Sequence, residues 1–154
     1  MNYPRLVVLR DEDPVHLRQR TRNLPGRGHQ SRSYADPLSV AAWWTSAVGV
    51  DVVRPVNDDH FSLEQRSFRD VMLSPLDLEA LTRTPDISAW DIWSSKEAAA
   101  KAMGNPLSYI PHQHFSPALW PNGEFGKWRV SRIDNLPDDY LGWVVFELSA
   151  HLGA

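Results

Sequence analysis

Two places in this 154-residue chain put reactive side chains where ordinary packing would not. The first is Val48-Gly49-Val50-Asp51-Val52-Val53, in which one carboxylate interrupts a run of apolar or small residues. Burying an ionised carboxylate is costly unless a cation or several donors compensate. A metal ion would compensate, and so would Arg54 or Arg132; a structural salt bridge or an exposed strand edge fits the same pattern. Gly49 permits close approach of a ligand to the backbone, or marks a bulge. The second place runs from Trp93 to Gly104 and contains Glu97-Ala98-Ala99-Ala100-Lys101. On a helix, positions 93, 97 and 101 stack on one face as indole, carboxylate and ammonium, with Lys96 about 100° round. A phosphate held by a divalent cation needs such a column, because the carboxylate is a hard oxygen ligand and the ammonium cancels charge on phosphoryl oxygens. The same five residues are also a generic helix stabiliser, their i,i+4 pair contributing about 0.2–0.5 kcal/mol.

Other candidates are weaker. His112 and His114 would share one face of a strand, but no third ligand has a zinc-like spacing. Seven Arg (Arg5, Arg10, Arg18, Arg20, Arg22, Arg27 and Arg32) against Asp11, Glu12 and Asp13 give the first 32 residues a local capacity for anions, or a solvated helix face. Seven Trp exceed what a core of this size is expected to bury, which points to interface anchors or a lined pocket. Neither a nucleophile elbow nor a glycine-rich phosphate loop occurs.

The elements that must position these residues read as follows. Arg5 to Leu9 form a strand, and Asp13-Pro14 caps and opens a helix to Leu24 that Pro25-Gly26 ends. Leu38–Trp44 and Ala47–Val53 are apolar strands whose Thr45-Ser46 link reads as a hairpin. Helices are expected over Ser62–Met72, Pro75–Leu81 and Ala89–Met103, the last stopped by Gly104-Asn105-Pro106. Strands at Trp128–Ile133 and Leu141–Leu148 follow, with no sequence repeat anywhere. The sum is one α+β domain over residues 1–154, an antiparallel sheet packed against one long helix.

Composition narrows the function. No apolar run reaches the roughly 20 residues of a membrane span, and 16 basic against 19 acidic residues give no general pull toward nucleic acid. The absence of Cys removes thiol nucleophiles and thiolate metal sites. No charged segment followed by an apolar stretch opens the chain, so a cytoplasmic protein is expected.

Taken together, the two motifs resemble the two-half, surfactin-synthetase-activating type of 4′-phosphopantetheinyl transferase, whose signatures are G-[VI]-D-[VI]-E on a strand and W-x-x-K-E-A-x-x-K-x-x-G on a helix. Gly49 to Val53 matches the first in part, and Trp93 to Gly104 matches the second nearly throughout. The Met72–Leu81 segment resembles the family's F-S-x-x-E, with Asp77 for Glu, and Gly142 to Val145 resembles its closing strand. The resemblance spans about residues 33–149, and residues 1–32 are a divergent amino-terminal segment. It implies that Asp51 and Glu97 ligate Mg2+ together with the coenzyme A pyrophosphate. Glu97 and Lys101 would be catalytic, Lys101 contacting the transferred phosphate or the leaving group and Glu97 or a metal-bound water accepting a serine proton. Lys96, Arg32 and Trp93 would bind the coenzyme. The activity implied is transfer of 4′-phosphopantetheine to an acyl or peptidyl carrier protein, in polyketide or nonribosomal peptide biosynthesis. A repurposed relative acting as a cyclase or dehydratase, or a non-catalytic carrier-protein-binding module, are the alternatives.

The sequence departs from the family pattern at four points. Val53 replaces a second strand carboxylate, and Ser33-Tyr34-Ala35 falls where the family has S-H-S, so Arg32 would have to substitute for the phosphate-binding His. Pro106 replaces a Gly in G-x-G-L. Only 50 residues precede Asp51, fewer than the usual first half, which builds one wall of the coenzyme cleft. A homo-oligomer is therefore expected, with a neighbour supplying that wall.

Overall fold

A computed structural model describes residues 2–55, 73–104 and 116–148. In chain order the elements are β1 (Arg5–Arg10), α1 (Pro14–Arg22), β2 (His29–Ala35), β3 (Leu38–Trp44), β4 (Val48–Val53), α2 (Pro75–Leu81), α3 (Ala89–Ala102), β5 (Glu124–Phe125), β6 (Trp128–Arg132) and β7 (Leu141–Glu147). They form two antiparallel sheets, β1-β3-β2 and β4-β7-β6-β5. The α+β class and the sheet on a long helix are as expected, the helix being α3 on the four-stranded sheet. The helix expected over Ser62–Met72 lies outside the described residues.

The hairpin expected between β3 and β4 does not form. Both edges of β3 are taken, Val40 facing Val8 on β1 and Ser33 on β2. The link instead carries the chain to the other sheet, fixed there by Trp44 Nε1 donating to Glu147 O and Ser46 Oγ to a Glu147 carboxylate oxygen. Strand β2 was absent from the sequence reading because its run His29-Gln30-Ser31-Arg32-Ser33 is polar; it is an edge strand that joins through the β3 ladder.

Alternation along the strands builds the layers. Leu38, Val40, Ala42 and Trp44 of β3 meet Val48, Val50 and Val52 of β4 and Val144 and Phe146 of β7, so the sheets pack face to face. The opposite face of β7, through Trp143 and Val145, packs on Ala98, Ala99 and Ala102 of α3. On the far side α1 buries Leu17 and Thr21, the Thr21 hydroxyl meeting Ser39 of β3 at 2.8 Å. Each sheet thus has its own helix, and the two sheet-and-helix halves share a layout in which β3 lies between β1 and β2 in the first and β7 between β4 and β6 in the second, the second half also carrying α2 and β5.

Local rules fix α3. Ser88 caps its start in a reciprocal box with Asp91, and Met103 caps its end before Gly104, whose φ of 79° suits glycine. Its alanines let it lie close to the sheet, and Gly49 of β4 lets it lie closer. A Cβ at Gly49 would fall 2.0 Å from Ala98 O and 2.4 Å from Ala102 N, both backbone atoms of α3. Of the two readings open for Gly49, a ligand's approach or a bulge, neither describes what is found: the close approach is made by the helix. Gly49→Ala must push α3 away from β4, and we expect a loss of about 1–3 kcal/mol or more in urea-induced unfolding; an unchanged midpoint would contradict the packing described.

Candidate active site

Asp51 sits on the face of β4 that carries Gly49, toward α3, and is 8% exposed. Its Oδ1 lies 3.4 Å from Ser33 Oγ and 3.6 Å from Lys101 Nζ. Its Oδ2 is buried and has no hydrogen-bond partner among the described residues. Burial pushes the carboxyl up to about 6; Lys101 and the Ser94 hydroxyl pull against this, and the nearby charge of Glu97 adds to it. An orphaned buried carboxylate oxygen beside a second carboxylate is a donor set that suits a hard divalent cation. Val53 supplies no third carboxylate, and among the described residues no group of three or more metal-ligating side chains converges.

Asp51's counter-charge comes from neither arginine considered above. Arg54 pairs with Asp139 at 3.1 Å and Arg132 with Asp91 at 3.1 Å. The cation is Lys101, which also donates to Val50 O at 2.9 Å and to Arg32 O at 3.3 Å. Lys101 therefore does not make the surface i,i+4 pair with Glu97 that its spacing allows. Glu97 instead accepts from the indole N–H of Trp93 at 3.2 Å, and that indole packs on Trp90 with ring centroids 5.3 Å apart.

Lys96 corrects the sequence reading. It is 2% exposed, and its ammonium donates to Asp77 Oδ2 at 2.6 Å. Asp77, itself fully buried, also accepts from Ser74 N and from Ser116 N, so it ties α2 and the turn at Pro117–Leu119 to α3. Burial pulls the lysine's pKa down while Asp77 opposes the shift. A buried, paired ammonium is committed to the interior and is not offered to a coenzyme. The resemblance of Asp77 to a family carboxylate is thereby given a structural meaning, as the partner of Lys96.

Strands β2 and β4 run side by side where the halves meet. Ser31 Oγ accepts from Val50 N and Ser33 Oγ from Val52 N, each at 3.0 Å. The free edge of β4 is thus satisfied by hydroxyls in place of a strand ladder. Between the two serines, Arg32 is exposed and borders a cleft of about 710 Å³. The cleft runs between the halves: Arg18 and Arg22 of α1 and Gln30, Arg32 and Tyr34 of β2 face Val48, Ala100, Lys101 and Gly104. Among the described residues four cations line it and no carboxylate does. Arg18 stacks over Tyr34 at 4.7 Å and pairs with Asp36 at 2.9 Å. Trp93 is not among the lining residues.

Ser31 and Ser33 flank Arg32, the residue that the resemblance would put in place of the phosphate-binding His. Among the described residues, α1 and β2 of this chain form one wall of the cleft, where the sequence suggested a neighbouring subunit. No Trp among the seven is exposed, which removes the other argument for a covered surface. Arg18 and Arg22 were visible only as part of a basic segment; the strand that brings Arg32 to meet them was the missing signal. His112 and His114, and the Asn105-Pro106-Leu107 stretch, lie outside the described residues.

The model of the 4′-phosphopantetheinyl transferase superfamily matches residues 47–136, more than half of the chain, a span that includes Asp51, Glu97 and Lys101. No curated protein matches the chain.

The burial of Asp51 has a sign that can be read in solution. A carboxyl whose folded-state pKa lies above its unfolded one favours the protonated fold, so the stability it permits at low pH is lost as pH rises from about 4 to about 6. In metal-free protein Asp51→Asn should therefore be more stable than wild type at pH 7.5, by up to roughly 3 kcal/mol, and the difference should vanish near pH 4. Denaturant midpoints of the two proteins across this range are the check.

Proposed function

This chain belongs to the 4′-phosphopantetheinyl transferase superfamily, and on that premise we propose that it moves 4′-phosphopantetheine from coenzyme A to a serine of an acyl or peptidyl carrier protein. The observation that carries the reading is the unpartnered, buried Oδ2 of Asp51, placed near Glu97 at the seam that borders a cation-lined cleft. Asp51 and Glu97 would hold Mg2+. When bound, that ion supplies charge neutralisation to a pyrophosphate.

The chain's own residues do the rest. Arg18, Arg22 and Arg32 bind the phosphates of the coenzyme in the cleft. Lys101, held by Val50 O and Arg32 O and turned toward Asp51, lends its positive charge to the phosphoryl oxygens, whose charge grows as the bond to the leaving group lengthens. The serine oxygen of the carrier forms a bond to the phosphorus that bears pantetheine, and the bond from that phosphorus to the bridging oxygen breaks. Adenosine 3′,5′-bisphosphate leaves, and Glu97 accepts the serine proton. Trp93 contributes by holding Glu97 through its indole N–H, which replaces the direct coenzyme contact expected of it.

One observation favours a second reading. Val53 leaves the strand one carboxylate short of the usual family pattern, as a relative turned to cyclase or dehydratase chemistry would be. No helix among the described residues is long and apolar enough to cross a membrane.

Mass spectrometry of apo carrier proteins, after incubation with the protein, coenzyme A and Mg2+, should show the gain of one phosphopantetheine. Glu97→Gln keeps an oxygen for the Trp93 indole and should fold normally while losing transfer by about 100-fold or more. No mass gain with any carrier, or full activity in Glu97→Gln, would move the assignment to the repurposed relative.

A further inference from the structure

Ser31 and Ser33 perform the same task at the seam, each accepting an outward N–H of β4 at 3.0 Å. They differ in what their own protons reach. A hydroxyl that accepts from an amide still has one O–H to donate. For Ser33, which is buried, the acceptor within reach is Asp51 Oδ1 at 3.4 Å. Ser31 makes no hydrogen bond to that carboxylate. Lys101 Nζ approaches the same oxygen, at 3.6 Å, while it holds Val50 O and Arg32 O. Ser33 and Lys101 thus both meet Oδ1, the Ser94 hydroxyl lies alongside and donates to Asp51 O at 3.4 Å, and Oδ2 is left without a hydrogen-bond partner among the described residues.

We propose that Ser33 is a positioning residue: it holds Asp51 by Oδ1, so that Oδ2 is the oxygen presented to a divalent cation. The assignment rests on the reading of Asp51 and Glu97 as metal ligands. It gives the first half a part in the metal site itself, beyond the wall of the cleft, because Ser33 of β2 acts on the carboxylate together with Lys101 and Ser94 of α3. Partners that orient a ligating carboxylate change metal affinity by about 10–100-fold when removed, without touching the ion.

Ser31 supplies the internal comparison, since it shares the amide contact and lacks the carboxylate contact. The probe is Mn2+, titrated into wild type, Ser31→Ala, Ser33→Ala and Ser33→Thr, with free Mn2+ read by electron paramagnetic resonance and metal-free stability by thermal unfolding. Both alanine variants lose a bond to β4 and should lower the midpoint. Only Ser33→Ala should weaken Mn2+ binding, by about tenfold, and Ser33→Thr, which keeps the hydroxyl, should restore it. Equal affinity in Ser33→Ala and wild type would overturn the proposal. So would equal weakening by Ser31→Ala, which would mean a general loosening of the seam, or a Ser33→Thr as weak as Ser33→Ala. A wild-type protein that takes up no Mn2+ would instead overturn the metal reading of Asp51 and Glu97, and this assignment with it.

Discussion

At Gly49 the backbone of β4 approaches α3 so closely that a methyl group there would lie 2.0 Å from a helix carbonyl. The site depends on that contact. Two residues along the same strand face is Asp51, and one helical turn apart on α3 are Glu97 and Lys101. A longer distance between strand and helix would leave Lys101 short of Val50 O and Asp51 outside the field of Glu97. The four alanines and the glycine are the small residues of this interface, and they are the reason that three large polar side chains can meet beside it.

The second constraint is the free edge of β4. Its neighbour on one side is β7; on the other are hydroxyls and an ammonium, not a strand. An unmet edge inside a protein would be expensive, and the arrangement found satisfies it while leaving the seam polar. The cleft opens along that polar seam. Its cations come from both halves, from α1 and β2 on one side and Lys101 on the other. To this cleft the first half contributes one helix, one serine-bearing strand and three arginines.

Much of this was written in local signals. The caps at Asp13, Ser74 and Ser88 and the glycine after Met103 delimit helices by hydrogen bonding within a few residues, so they can be read without knowing the fold. The column of Trp93, Glu97 and Lys101 follows from helical spacing alone. What could not be read were facts of long range. Lys96 and Lys101 lie on one helix and differ in fate because Asp77 faces one and the β2–β4 seam faces the other. The polar run Ser31-Arg32-Ser33 carries no hydrophobic signature of a strand, since its hydroxyls are used for another strand's amides.

The account's central claim is that the unpartnered oxygen of Asp51 and the carboxylate of Glu97 together receive one divalent ion beside Lys101, a residue that lines the cationic cleft. Anomalous scattering from crystals grown with Mn2+ and coenzyme A tests it directly. The account predicts a single manganese peak bonded to Asp51 Oδ2 and to Glu97, at about 2.0–2.3 Å from each, with the coenzyme phosphates between it and Arg32. Coenzyme bound in the cleft with no peak at Asp51, or a peak that bypasses Glu97, would contradict it.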